Sequence, residues 1–249
     1  MTRDLHLLRE LIKRDLAARF TGSGLGLFWA ILQPAALVGV YWFVFSFMIP
    51  SKIGGDAYLY FLISGLIPWF AISEGLTRSM TSIVENGPMV RKIPLRSELL
   101  VIVPNATAAV FEVIAFVLFM IAMTFMRGWP HGFWLLPIAI ALQLFLQVAI
   151  ALALAAMYVF LRDLGQILGF VLAIVFYLSP ILYPAAGRFQ TLFAFNPLTP
   201  LLGLFRAAVL GAALPPPTSI VLLLFVAAVL FVASFSFFRR AQRVFADLI

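Results

Sequence analysis

The chain has 249 residues, of which 64% are hydrophobic and only 11% charged, and its mean hydropathy is +1.10. A soluble domain of this length needs far more polar surface to cover its core, so these values exclude a soluble enzyme. The sequence has no cysteine and two histidines, which excludes disulfides, thiolate metal sites and multi-histidine metal sites. The composition therefore indicates an all-α integral membrane protein.

Residues 2–24 form a polar segment that precedes the first apolar run. The apolar side chains of this segment recur at helical spacing: Leu5, Leu8, Ile12, Leu16 and Phe20. Charged side chains lie largely on the opposite face, although Arg19 falls within the apolar stripe. The pattern predicts an amphipathic helix in the cytoplasmic interface of the membrane, and a plain anchor without a mechanical role has the same pattern.

Six segments are long and apolar enough to span a bilayer as helices, since a span needs about 20 mostly apolar residues. They are residues 25–49, 58–76, 99–126, 133–161, 167–183 and 218–238. With both termini in the cytoplasm, all but four of the 17 basic residues fall on the cytoplasmic side; the four are Lys52, Arg127, Arg188 and Arg206. This asymmetry supports cytoplasmic termini by the positive-inside rule. It also accounts for the isoelectric point near 10.2 without nucleic-acid binding.

The loop 78–98 is the longest polar stretch between two predicted spans. It contains the helix-breaking turn ENGP at residues 85–88, followed by the apolar and basic residues MVRKIP at 89–94. A short helix or turn here exposes groups that can dock on a cytoplasmic partner. The alternative is a solvated loop whose basic residues only fix the topology.

Residues 188–217, on the outer side, are too apolar for a free loop and too rich in proline and glycine for a span. Short helices that re-enter the outer leaflet fit this composition. Arg206 lies in this segment, and there its charge requires a partner or water.

Motifs of catalysis are absent from the sequence. It contains no P-loop, no H-E-x-x-H and no G-x-S-x-G. The acidic residues Glu74, Glu112 and Asp163 do not cluster by spacing, which disfavours an integral membrane lipid-sugar transferase. We expect Glu112, in the middle of a span, to be hydrogen-bonded between helices. A secondary transporter stays an alternative, although the sequence shows no convincing internal repeat.

Aromatic residues make up 15% of the chain. Their ring faces suit the C–H faces of sugars, and their polar edges supply hydrogen bonds. The candidates for lining a sugar path are Tyr41, Trp42, Tyr58, Tyr60, Trp69, Tyr177 and Tyr183. Lipid contact and helix packing remain the alternative role for most of them.

Four stretches, in this order, resemble the transmembrane permease subunits of type 2 ABC exporters, in the branch that exports O-antigen, capsule and teichoic-acid chains. The first runs from RDLAARF at residues 14–20 through GLG at 24–26 to Trp29 and Pro34. The second is GLIPWF at 65–70, and the third is RDLGQI at 162–167 followed by SPILYP at 179–184. The fourth is NPLTP at 196–200.

The resemblance implies a non-catalytic, six-span permease in the bacterial inner membrane that moves a lipid-linked polysaccharide to the periplasmic side. It further implies a homodimer that binds two copies of a P-loop ATPase, with ATP and magnesium held by that partner and no cofactor in this chain. The coupling residues would then be Glu85, Asn86, Met89, Arg91, Lys92 and Arg96. Arg14 and Arg19, with Arg91 and Arg96 as further candidates, would meet the pyrophosphate of the lipid carrier. A type 2 exporter of a small drug or lipid shares the same plan and stays open.

Overall fold

A computed structural model describes residues 2–18, 26–48, 56–92, 96–185 and 190–248. In these ranges the chain is helical, with connecting turns and no strand. The helices are α1 (Thr2–Ala18), α2 (Gly26–Phe43), α3 (Asp56–Glu85), α4 (Gly87–Lys92), α5 (Glu98–Arg127), α6 (Leu136–Phe160), α7 (Leu164–Tyr177), α8 (Gln190–Phe195), α9 (Leu198–Leu210), α10 (Pro217–Ala241) and α11 (Phe245–Leu248).

Within the described residues, four helices are long and apolar enough to cross a membrane. They are Ala57–Glu85, Glu98–Phe125, Phe133–Phe160 and Pro217–Val244. Shorter apolar helices accompany them at Pro34–Phe43, Leu164–Tyr177 and Leu198–Leu210. Because α2 continues into a π-helical turn at Val44–Met48, its helical backbone extends five residues beyond Phe43. The chain is therefore an all-helical, multi-pass membrane protein.

The centre of the molecule is formed by α3, α5 and α6, and α10 packs along the outside of α6. Large apolar side chains such as Leu66, Phe116 and Leu152 are fully buried between these helices. Small residues on α6, including Ala149 and Ala155, are also fully buried. Small side chains let helix backbones approach closely, which is how helices gain packing energy in a medium as apolar as their own surfaces.

Polar side chains join the three central helices inside this apolar core. The amide of Asn105 on α5 donates to the hydroxyl oxygen of Ser79 on α3 at 2.6 Å. The amide of Gln143 on α6 donates to a carboxylate oxygen of Glu112 on α5 at 2.7 Å. The predicted hydrogen bond of Glu112 between helices is thus confirmed. Such bonds fix the rotation of each helix, because the alternative is an unpaired polar group in a dry interior.

Two helices differ in length from the spans predicted for them. Helix α3 continues to Glu85, nine residues beyond the predicted end of its span, because its polar residues bond back to their own helix: Thr77 donates to the carbonyl of Ser73 and Ser82 to that of Ser79. Helix α7 ends at Tyr177, six residues early. Pro180 has no amide hydrogen to continue the helix, and its ring restricts Ser179.

The contacts define two ends of the helical bundle. At one end α1 packs against α5, and α11 packs against α4. We call this the basic end, since Arg14, Arg78 and Arg239 lie there. At the other end, called the opposite end, α9 packs against the turn Phe133–Leu135 that precedes α6.

Candidate functional site

Helix α1 is held at the basic end by two contacts with α3 and the turn that follows it. The guanidinium of Arg78 lies 2.5 Å from the carboxylate of Asp15. One residue earlier, Arg14 donates to the side-chain oxygen of Asn86 at 3.5 Å. On the exposed face of α1, a hydrogen bond from Lys13 lowers the pKa of the Glu10 carboxyl. The predicted helix therefore has a polar outer face and an ionic attachment to the bundle.

The short helix α4 is present at the position predicted for a docking segment. Asn86 starts it, since its backbone carbonyl accepts from the amides of Met89 and Val90 at 2.9 and 3.0 Å. Met89 packs against the core while Arg91 is exposed. The charged side chain of Arg91 therefore lies on the outer face of α4, and the apolar side chain of Met89 lies on the face that packs against the core. Such a face suits contact with another protein.

The remaining coupling candidates flank α4 on both sides. Glu85 is exposed at the end of α3, and Arg96 is exposed before α5 begins. Lys92 is the last residue of α4. The structure thus brings the six candidates to the basic end, in the same neighbourhood as Arg14. Arg19 lies outside the described residues.

The C-terminal part of the chain closes the basic end from another side. Arg239 of α10 lies 3.1 Å from the carboxylate of Glu98 at the start of α5. Beside this pair, Gln242 donates to the hydroxyl of Ser97 at 3.3 Å. Phe245 of α11 is fully buried. Helices α1, α4 and α11 therefore lie as one layer at the basic end, where α11 packs against α4 and Arg14 of α1 donates to Asn86 beside α4.

A small cavity of about 130 Å³ lies between α1, α3 and α5 at the basic end. Its polar lining comes from Arg14, Asp15, Arg78, Ser82, Glu85 and Asn86. This volume is below the roughly 300 Å³ at which small-molecule sites begin, so the cavity suits a few water molecules rather than a nucleotide.

Four of the predicted aromatic residues belong to one cluster, and Phe176 of α7 joins three of them. The ring of Phe176 lies 5.7 Å from Tyr41 on α2, 5.4 Å from Trp69 on α3 and 5.2 Å from its neighbour Tyr177. The hydroxyl of Tyr183 donates to the backbone carbonyl of Tyr177. Sequence reasoning missed Phe176, because a phenylalanine in an apolar helix carries no signal that separates a hub from a lipid contact.

The other three predicted aromatic residues lie apart from this cluster. Tyr58 is 1% exposed and its hydroxyl donates to the carbonyl of Leu182 at 2.8 Å. Tyr60 is buried against Phe119, and Trp42 packs edge-on to a phenylalanine of the π-helical turn. In the single chain, Tyr58 and Tyr60 are both buried, so neither ring lines an open surface.

A groove of about 490 Å³ runs beside the aromatic cluster, between α6, α7 and α3. Its walls are aliphatic side chains for most of their length, and Gln143 and Gln147 are among its few polar residues. Hydrocarbon fits such a lining, whereas a hydrated sugar chain does not. The groove is therefore a poor candidate for a sugar path.

At the opposite end, two short helices occupy the segment predicted as 188–217: α8 (Gln190–Phe195) and α9 (Leu198–Leu210). Asn196 caps α9, since its side-chain oxygen accepts from the amide of Leu198 at 2.9 Å. Arg206 is buried and donates to the carbonyl of Pro180 at 2.6 Å. The partner that the sequence required for Arg206 is thus a backbone oxygen.

Among the described residues, no group of three histidine, cysteine, aspartate or glutamate side chains is placed to hold a metal ion. The site thus combines charged residues at the basic end, an aromatic cluster around Phe176 and an apolar groove. The fold and these features define a multi-pass helical membrane protein.

The sequence profile of the ABC-2 type transporter family matches residues 6–210, and the chain belongs to this family. The resemblance seen in its motifs is confirmed. The chain is 28% identical to the O-antigen export system permease protein RfbA of Myxococcus xanthus and 26% identical to the protein of that name from Klebsiella pneumoniae. Each alignment covers 98% of this chain and 95% of the relative. The polysialic acid transport protein KpsM of Escherichia coli is 24% identical over 82% of the chain and 81% of its own length.

Proposed function

We propose that this chain is the membrane-spanning permease subunit of an ATP-driven exporter that moves a lipid-linked polysaccharide, of the O-antigen kind, out across the bacterial inner membrane. The observation that carries the proposal is full-length similarity to permeases named for O-antigen export. The polysialic acid transport relative supports a polysaccharide substrate rather than a small drug.

The layer of α1, α4 and α11 supports a role in receiving motion from a cytoplasmic ATPase. A packed helix transmits a push as a unit, because its core cannot deform continuously. Arg91 and Glu85 offer the exposed charges of the contact, and Met89 ties α4 to the core. In our proposal two ATPase subunits bind two copies of this layer, and they hold the ATP and magnesium.

The aromatic cluster around Phe176 is the proposed wall of the path. Tyr177 is 56% exposed in the single chain, and Tyr41 and Tyr183 are half-buried. A hydrated glycan cannot cross hydrocarbon and needs a protein-lined path. In the proposed homodimer the exposed apolar faces of α2 and α7 meet the second copy, which encloses a path lined by these rings.

The proposed topology has six spans, with α2 and α7 completing the four long helices and both termini in the cytoplasm. The basic end, with Arg14, Arg78 and Arg239, then faces the cytoplasmic leaflet, whose anionic lipids attract it. Helices α8 and α9 enter the outer leaflet from the opposite end. Arg14, with Arg19, is the proposed contact for the pyrophosphate of the lipid carrier.

Purification of the tagged chain from its native membranes in mild detergent tests the proposal. We expect a P-loop ATPase at about equal amounts, and export of the cell's lipid-linked glycan to stop when the chain is deleted. If the ATPase is recovered but glycan export continues in the deletion strain, the proposed polysaccharide substrate is wrong, and a drug or lipid exporter is favoured. Absence of any ATPase from intact, monodisperse protein contradicts the transporter and favours a transferase, which an assay with a labelled sugar nucleotide then detects.

A further inference from the structure

Arg206 is a buried cation that belongs neither to the layer of α1, α4 and α11 nor to the proposed aromatic wall. Only 9% of the residue is exposed, in the middle of α9. One guanidinium nitrogen lies 2.6 Å from the carbonyl oxygen of Pro180 and 3.4 Å from that of Ile181. The guanidinium carbon lies 3.7 Å from the centre of the Phe61 ring on α3. The side chain therefore contacts two other parts of the molecule at once, the segment that holds Pro180 and helix α3.

The packing around Arg206 leaves room for a flat group. Gly65 lies one turn after Phe61 on α3, and a Cβ atom at Gly65 would come within 3.1 Å of the guanidinium. Arginine suits this space better than lysine, because its planar fork can stack on a ring while donating to neighbouring oxygens. The absence of a side chain at Gly65 thus leaves the space that the Arg206 guanidinium occupies.

The oxygens that Arg206 contacts belong to residues 178–185, which follow α7 and are not helical. Helix α7 stops at Tyr177, and residues 178–185 form turns rather than helix. Carbonyls after the last turn of a helix need partners from elsewhere, most of all in an apolar medium. Asn196 donates to the carbonyl of Leu178 at 3.0 Å, and Tyr58 donates to that of Leu182 at 2.8 Å. Three side chains from outside the segment therefore hold its backbone.

The same segment carries Tyr183, whose hydroxyl donates to the carbonyl of Tyr177. Both tyrosines belong to the proposed aromatic wall. We propose that Arg206 is a positioning residue for the exit of the polysaccharide path: it clasps residues 178–185 between α3 and α9, and thereby fixes Tyr177 and Tyr183 at the outer mouth. This inference rests on the proposed function, since it assigns the tyrosines to a glycan.

Because the chain has no cysteine, a single introduced cysteine is the only labelled position in this chain once it has been isolated. Ala185→Cys places the reporter at the end of the clasped segment, where the residue is half-buried. Ala212→Cys is the matched control, on the exposed stretch between α9 and α10. The measurement is the rate of maleimide labelling in permeabilised native membranes that contain the complete transporter. Export of the glycan is measured in the same strains.

Arg206→Met keeps an unbranched, flexible side chain, although a shorter one, and removes the donors and the charge. We expect labelling at position 185 to rise about fivefold while labelling at position 212 stays the same, and export to fall about tenfold. Arg206→Lys retains the charge and an ammonium donor group without the planar fork, so it should recover part of the export. A role in general stability alone gives a different result, in which the amount of the chain in the membrane falls and export falls in proportion to it.

Tyr58→Phe removes a single hydroxyl from the same clasp and decides the question if Arg206→Met does not accumulate. It should raise labelling at position 185 by about twofold to fivefold, as expected for one lost hydrogen bond. Unchanged labelling at position 185 in protein of normal abundance overturns the clasp. Raised labelling with full export overturns the role at the exit. If deletion of the chain leaves glycan export unchanged, the proposed function has failed, whereas the labelling result still reports on the clasp.

Discussion

The guanidinium of Arg78 and the carboxylate of Asp15 lie 2.5 Å apart and tie the N-terminal helix to the long helix α3. Both side chains are partly buried, at 33% and 19% exposure. The pair lies two turns before the end of α3, where α4 begins. In the proposed coupling mechanism, a displacement of α4 would therefore reach the bundle both along α3 and through α1.

Removal of either charge should break the ionic connection between α1 and α3. We expect Asp15→Asn or Arg78→Gln to lower export about fivefold, because a partly buried pair is worth on the order of 1 kcal/mol. The exchanged pair Asp15→Arg with Arg78→Asp should recover part of the loss. Glu10→Gln is the matched control, since its partner Lys13 lies on the exposed face of the same helix. An equal loss in the control contradicts the assignment.

Helix α4 should be needed for coupling and not for membrane insertion. Arg91→Ala together with Lys92→Ala removes two charges of α4 from the proposed contact with the ATPase. Export should fall about tenfold, equivalent to about 1.4 kcal/mol and at the low end for charge pairs across protein interfaces. The amount of the chain in the membrane should stay normal. Arg162→Ala, an exposed arginine just before α7, serves as the control. Unchanged export in the α4 variant would defeat the assignment.

Much of the fold can be predicted from the helical spacing of apolar residues and from the positions of helix-breaking prolines and glycines. The spacing of Leu8 and Ile12 predicted α1, and the ENGP turn predicted a short docking element where α4 lies. The proline and glycine content of 188–217 predicted short helices instead of a span. These features are local, so each depends only on neighbours along the chain.

The partners of polar residues could not be predicted in the same way. Arg206 contacts backbone oxygens, which every residue carries, so no residue type in the sequence marks them. Gln143 is 31 positions from Glu112 and is one of several amides in apolar helices. The polar residues after position 76 indicated a loop, whereas their bonds to preceding carbonyls keep them in α3. Tertiary contacts decide all three cases.

The hydrogen bond between Gln143 and Glu112 should contribute to the stability of the bundle. Gln143→Leu leaves the buried carboxyl without its donor, at a cost of about 1–3 kcal/mol. We expect the thermal midpoint in detergent to fall by about 5 °C, since 1 kcal/mol corresponds to about 2–4 °C at this chain length. Adding Glu112→Met should restore most of the midpoint, because both polar groups are then gone. A double variant less stable than Gln143→Leu contradicts this account and points to a second role for Glu112.

Gly132 should allow α9 to pack closely against the turn that precedes α6. A Cβ atom at this position would lie 2.3 Å from the carbonyl oxygen of Ala207 and 3.1 Å from that of Ala208. Both oxygens belong to the backbone of a buried helix, which cannot move aside as a flexible side chain can. Gly132→Ala therefore forces α9 away from the turn before α6, at a cost of about 1–3 kcal/mol.

The matched control is Gly165→Ala on α7, where a Cβ atom would make only ordinary contacts inside the chain, at 3.7 Å from Met80 and 3.8 Å from Tyr158. Alanine at a helical position is also favoured over glycine by about 0.5–1 kcal/mol. We expect the midpoint of Gly132→Ala to fall by about 4 °C and that of Gly165→Ala to stay level or rise. Because Arg206 reaches Pro180 from the same helix, Gly132→Ala should also raise the labelling of a cysteine at position 185. A stable Gly132→Ala protein with unchanged labelling would mean that α9 is not anchored at this turn.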